Sequence, residues 1–228
     1  MPEIVANQPS RVHLVAGPTI SAVAFCPHPP LLLPEIASGT AIETQSLRFA
    51  CGQAVERLVS AAPGGLLAIG ADGPPVMARD FAPGSASTGR RPLSLLIAES
   101  LLRGRGLNPT YVPIGADARP TSPWPNAAEP RALLVMGDGS ARRSLKGPGY
   151  LDGRAQPFDD AVVAALAAGS VDALANLDLA LAAELLVAGA ATWVAAAELL
   201  GDRQWRGEIL YTDAPFGVMY TVALWSPA

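Results

Sequence analysis

His28 and a handful of aspartates are the side chains of this sequence best placed to do chemistry. The chain has two histidines, His13 and His28, and His28 lies in the run Cys26-Pro-His-Pro-Pro30. Prolines on both sides restrict the backbone and leave the imidazole to face a pocket. Neutral imidazole is a common ligand for iron or zinc, and it exchanges protons near neutral pH. The competing reading is a histidine that caps a loop by bonding a backbone carbonyl. Cys26 would share a face with His28 if the strand ran on, but a buried apolar role is preferred for it and for Cys51. Asp72 and Asp138 each precede a glycine, so turn formation competes with metal ligation or general-base work. Arg142 and Arg143 suit bidentate binding of a carboxylate, or a solvated loop. Gly137-Asp-Gly139 lacks the third glycine of a dinucleotide fingerprint. Neither a phosphate-binding loop nor a Gly-x-Ser-x-Gly elbow occurs.

These groups are placed by strand ends. Ile20–Cys26 is a short apolar run that reads as a buried strand, stopped by Pro27, Pro29, Pro30 and Pro34. Leu47, Ala50, Cys51, Ala54 and Leu58 recur at helical spacing within Thr40–Ala61, with Glu43, Arg48, Glu56 and Arg57 off that stripe. Leu66–Gly70, Thr110–Ile114 and Ala132–Met136 are further strands, and Leu93–Leu102 is a helix ended by Gly104 and Gly106. A Pro- and Gly-rich loop spans 71–91, and a polar one spans Arg142–Pro157. Phe158–Leu200 is Ala/Leu-rich and helical, with breaks expected near Gly169 and Gly189. Glu208–Asp213 and Val218–Trp225 are the last strands. Alternating strands and helices predict a single-domain α/β sandwich, a central mixed sheet flanked by helices. Residues 1–19 are an N-terminal arm or edge strand, and 20–228 are the domain. Ligands in such folds bind at the carboxyl ends of strands, where His28, Asp72 and the segment Asp138–Arg143 fall.

Composition narrows the class. With 228 residues and half of them hydrophobic, the chain can build a substantial core. Sixteen basic against 20 acidic residues leave a net charge of −4, which excludes an electrostatic nucleic-acid binder. Two cysteines are no disulfide framework. No basic stretch followed by an apolar run marks a secretory signal. The longest apolar run, Leu185–Ala197, falls short of the roughly 20 residues a membrane helix needs. The expectation is a soluble, cytoplasmic protein with a small-molecule partner and room for homo-oligomers.

Three segments carry a resemblance. Ala24-Phe-Cys-Pro-His-Pro-Pro-Leu-Leu-Leu-Pro-Glu35 is similar to the first metal-ligand segment of class III extradiol ring-cleavage dioxygenases and the related Memo-like proteins. Gly137-Asp-Gly-Ser-Ala-Arg142, with Gly147-Pro-Gly-Tyr150 and Phe158-Asp159, resembles their later catalytic segment, and Ala214-Pro-Phe-Gly-Val-Met-Tyr220 their closing strand. The resemblance runs over about residues 20–226. It implies an extradiol dioxygenase-like α/β domain and, in active members, Fe(II) held by two His and one Glu, with a further His for acid–base chemistry. His28 matches the first ligand. Where the second histidine is expected, this chain has Leu67-Ala-Ile-Gly-Ala-Asp-Gly73, with Asp72 the nearest substitute. Ala141 stands where the resemblance implies the acid–base histidine, and Val187–Trp193 offers no ligand stronger than a hydroxyl. The implied reading is a diverged member whose iron site is incomplete and whose cleft takes a small ligand. Its candidate metal residues are His28 and Asp72, and its candidate substrate-binding residues are Asp138, Ser140 and Arg142. Fe(II) or another divalent metal is the cofactor implied, with a metal-free protein as the counterpart. Two other readings stay open. One is an active metal-dependent enzyme with a substituted ligand set, His28 and Asp72 with Asp213 or Asp138. The other is a non-catalytic subunit that buries a partner on the helices of 158–200.

Overall fold

Strands too apolar for solvent on either face must be covered on both, and that dictates the architecture. The structure is a computed structural model; it describes residues 19–34, 36, 41–61, 65–77, 80, 90–125 and 131–228. The arm or edge strand read for residues 1–19 lies outside the described residues, apart from Thr19, whose carbonyl accepts the Arg131 N–H. Six strands form one sheet: β1 (Ile20–Cys26), β2 (Leu66–Ala71), β3 (Thr110–Ile114), β4 (Arg131–Met136), β5 (Trp205–Asp213) and β6 (Tyr220–Pro227). Their order is β3-β2-β4-β1-β6-β5. The first four are parallel, while β6 runs antiparallel to β1 and forms a hairpin with β5. The expected mixed α/β sheet is therefore present.

Side-chain alternation splits the core into two layers. Ala24, Cys26, Ala68, Leu134, Met136 and Val222 face helices α1 (Ala41–Ser60) and α2 (Leu93–Leu102). Phe25, Ile69, Val112, Val135 and Trp225 face the other helical layer. That layer is α3 (Ala155–Ala168), α4 (Val171–Ala175), α5 (Leu179–Glu184) and α6 (Ala190–Leu200). Breaks were expected near Gly169 and Gly189. Gly169 does end α3, in the left-handed conformation that glycine accepts without strain. A further break falls before α5, where Asp178 caps the new helix by accepting the Ala180 and Leu181 N–H groups. Phe25 meets Trp225 edge-on at 5.0 Å, and the Trp225 indole N–H donates to the Leu166 carbonyl at 2.7 Å, pinning α3 to the sheet. Strand β5 begins at Trp205, three residues ahead of the expected start.

The connections decide where a ligand can sit. From β1 the chain leaves by α1 toward β2, on one face; from β4 it leaves by α3–α6 toward β5, on the other. β1 and β4 are neighbours, so the direction of chain exit reverses between their carboxyl ends. Such a switch point is the usual ligand position in open α/β sheets. No helix among the described residues is long and apolar enough to cross a membrane.

Candidate functional site

His28 and Asp138 stand on the two sides of that switch point. Cys26 pairs with Met136, so two further residues bring His28 level with Asp138. The His28 backbone N–H donates to Asp138 Oδ1 at 2.7 Å. His28 is 8% exposed, and its Nδ1 lies 3.6 Å from the same oxygen, too far for a hydrogen bond. Nδ1 is buried and has no hydrogen-bond partner among the described residues. That is a costly state for a polar atom. Burial raises the Asp138 carboxyl above its ordinary value, against the opposing influence of the His28 ring and its backbone N–H.

A third group completes the cluster. Phe25 pairs with Ala223, and the antiparallel register carried on sets His28 level with Tyr220. Tyr220 is buried on the same face as Cys26 and Met136. Burial, then the charges of Asp138 and Tyr211, push its phenol pKa upward, so it stays a neutral O–H donor. Beneath lie Cys26 and Cys51, both buried free thiols. A hydrogen bond to Cys26, then burial and the nearby charges of Cys26 and Asp138, raise the Cys51 thiol well above its usual range, as suits core cysteines. Arg48 in α1 holds the segment after His28 in place: its Nη2 donates to the Leu31 carbonyl and its Nε to Thr44 Oγ1.

The loop that carries Asp138 is fastened throughout. The Gly137 N–H donates to the Cys26 carbonyl at 2.9 Å, the Gly189 N–H to the Asp138 carbonyl at 2.8 Å and the Gly139 N–H to the Met219 carbonyl at 2.8 Å. Neither glycine has positive φ; close packing is what requires them. A Cβ on Gly137 would sit 2.7 Å from the Gly189 Cα and the Trp193 indole nitrogen, and one on Gly139 would sit 2.4 Å from Met219. Ser140 has no exposed surface. Its N–H donates to Asp159 Oδ1 at 2.9 Å and its hydroxyl to Oδ2 at 2.6 Å. Arg143 Nη1 joins the same carboxylate at 3.0 Å. Arg142 Nη1 donates to the Gly149 carbonyl at 2.6 Å. Ser140 and Arg142 thus hold the loop in shape, with Asp138 at its start, just past β4.

Asp72 lies elsewhere. It follows β2, which β4 separates from β1, so it stands two strand spacings, about 10 Å, from His28. It is exposed, and its Oδ1 accepts the Gly73 N–H at 2.9 Å. It lines a different cavity, on the face covered by α5 and α6. Asp213, at the end of β5, is exposed and accepts the Ala214 N–H. Among the described residues no group of three or more His, Cys, Asp or Glu side chains is placed to hold a metal ion. One imidazole and one carboxylate engaged by a backbone N–H do not fit the iron that the resemblance implies.

In the sequence Tyr220 and Asp159 stand out only as parts of longer motifs. Tyr220 enters the site through sheet register, which no local pattern reports. Asp159 carries a local signal: it is a carboxylate on a helix whose neighbours Phe158 and Val162 are buried. No family model matches the chain, and no curated protein does either.

Proposed function

We propose that the chain is a diverged relative of the class III extradiol dioxygenases and Memo-like proteins, one that binds a small hydroxylated ligand in the β1/β4 crevice without the iron chemistry of ring cleavage. The observation that carries the reading is the His28–Asp138 pair at the switch point of the sheet. The buried, partnerless Nδ1 offers one hydrogen bond to a ligand hydroxyl. Asp138 keeps Oδ2 for a second bond, with burial raising its carboxyl above the ordinary value. Tyr220 supplies a neutral donor from the far side. The missing histidine at Ala141 and the ligand-poor Val187–Trp193 agree with a cleft that outlived its metal.

The test is thermal melting with catechol, phenol and 3,4-dihydroxybenzoate at millimolar concentration, repeated anaerobically with Fe(II). At least one phenol raises the melting temperature of the wild type and fails to do so in His28→Gln. Fe(II) gives no rise, whereas occupancy at a hundred times Kd would add about 2.7 kcal/mol. Stoichiometric iron retained through gel filtration, together with O₂ uptake on catechol, would overturn the reading.

A further inference from the structure

We infer that the cavity beside Asp72 is a second ligand site, selective for a small aliphatic ammonium ion. It lies at the carboxyl ends of β2 and β3, on the opposite face of the sheet from His28 and Tyr220, so it is separate from the crevice above. Its volume is about 210 Å³. For scale, an apolar cavity of about 150 Å³ takes benzene. The walls are aliphatic, with Ile114, Leu179, Val187, Ala190 and Ala191 among them. Alanines where larger side chains would fill the space leave the hollow open.

Charge at the mouth gives the selectivity. Among the described residues Asp72 is the one charged residue lining the cavity, and no lysine or arginine lines it. The Gly73 N–H engages Oδ1, which leaves Oδ2 for a ligand. Asp117, two residues past the lining residue Gly115, is a further carboxylate nearby, its Oδ1 accepting the Arg119 N–H at 3.2 Å. Neither aspartate has an ion-pair partner among the described residues. A carboxylate at the edge of an aliphatic hollow favours a cation with an apolar body of about six carbons, because burial of that body adds to the attraction of the head group. Anions are repelled from the same mouth, and a neutral alcohol loses the charge-assisted bond.

The probe is cyclohexylammonium chloride, followed by saturation-transfer NMR and titration calorimetry, with cyclohexanol and cyclohexanecarboxylate as controls. The ammonium binds the wild type, the carboxylate does not, and the alcohol binds at least ten-fold more weakly. Asp72→Asn, a change at an exposed position, weakens ammonium binding about ten-fold or more, and Ala191→Leu abolishes it by filling the hollow. Salt at 0.5 M weakens binding, since the carboxylate is exposed. His28→Gln leaves it unchanged, which separates this site from the β1/β4 crevice. Equal binding of alcohol and ammonium, no binding at millimolar concentration, or an unaltered affinity in Asp72→Asn would each refute the inference.

Discussion

Replacing Asp159 by alanine is expected to be among the most damaging single changes in the Asp138 loop. The carboxylate is fully buried and accepts three hydrogen bonds: from the Ser140 N–H at 2.9 Å, the Ser140 hydroxyl at 2.6 Å and Arg143 Nη1 at 3.0 Å. Alanine strands two buried donors of Ser140 and leaves the Arg143 guanidinium, 20% exposed, without its counter-charge. Breaking a buried charged pair from one side costs about 3–5 kcal/mol. At roughly 2–4 °C per kcal/mol for a chain of this size, the melting temperature falls by about 6–20 °C. Asp159→Asn keeps an acceptor for the Ser140 N–H and loses the charge that holds Arg143, so its loss is smaller. Urea unfolding is the assay, with an unchanged m-value showing that stability alone has moved. A double-mutant cycle with Arg143→Met then measures the coupling, expected within about 0.5–3 kcal/mol. A loss under about 1 kcal/mol for Asp159→Ala, at constant m, would show that Asp159 does not hold the loop.

Three more outcomes follow from the same geometry. Burial lifts the folded-state pKa of Asp138 above its unfolded value, so the native state binds the proton more tightly and stability declines as pH rises through that window. Asp138→Asn keeps an oxygen for the His28 N–H and does not titrate. Its stability relative to the wild type, followed by urea unfolding, should therefore improve as pH rises from about 4, the ordinary Asp value, and a difference independent of pH would count against the burial argument. Gly137→Ala forces a methyl to 2.7 Å from the Gly189 Cα; it should cost about 1–3 kcal/mol as overpacking, and a neutral melting temperature would contradict the close approach. Cys26 and Cys51 are buried, and the Cys51 thiol is held protonated; a thiol reagent should label them only as the protein unfolds, and rapid labelling of the native protein would show that α1 does not seal the sheet.

The sequence by itself determined what is local. Apolar runs closed by proline or glycine mark β1, β2 and β4, because a strand buried on both faces cannot carry polar groups and a proline cannot continue its ladder. The same logic located His28 and Asp138 at strand ends. The extra break before α5 was hidden because Asp178 reads as an ordinary polar residue until its side chain is seen to cap a helix. Only the tertiary structure decided which strand ends are neighbours. Placing β4 between β2 and β1 couples His28 to Asp138 and leaves Asp72 two strands away, lining a cavity on the other face. Tyr220 reaches the site through pairing across nearly 200 residues of chain, and Ser140 with Arg142 turns inward to brace the loop. Such choices rest on register and on which helix covers which face. These are set by the packing of the whole core, so no window of residues contains them.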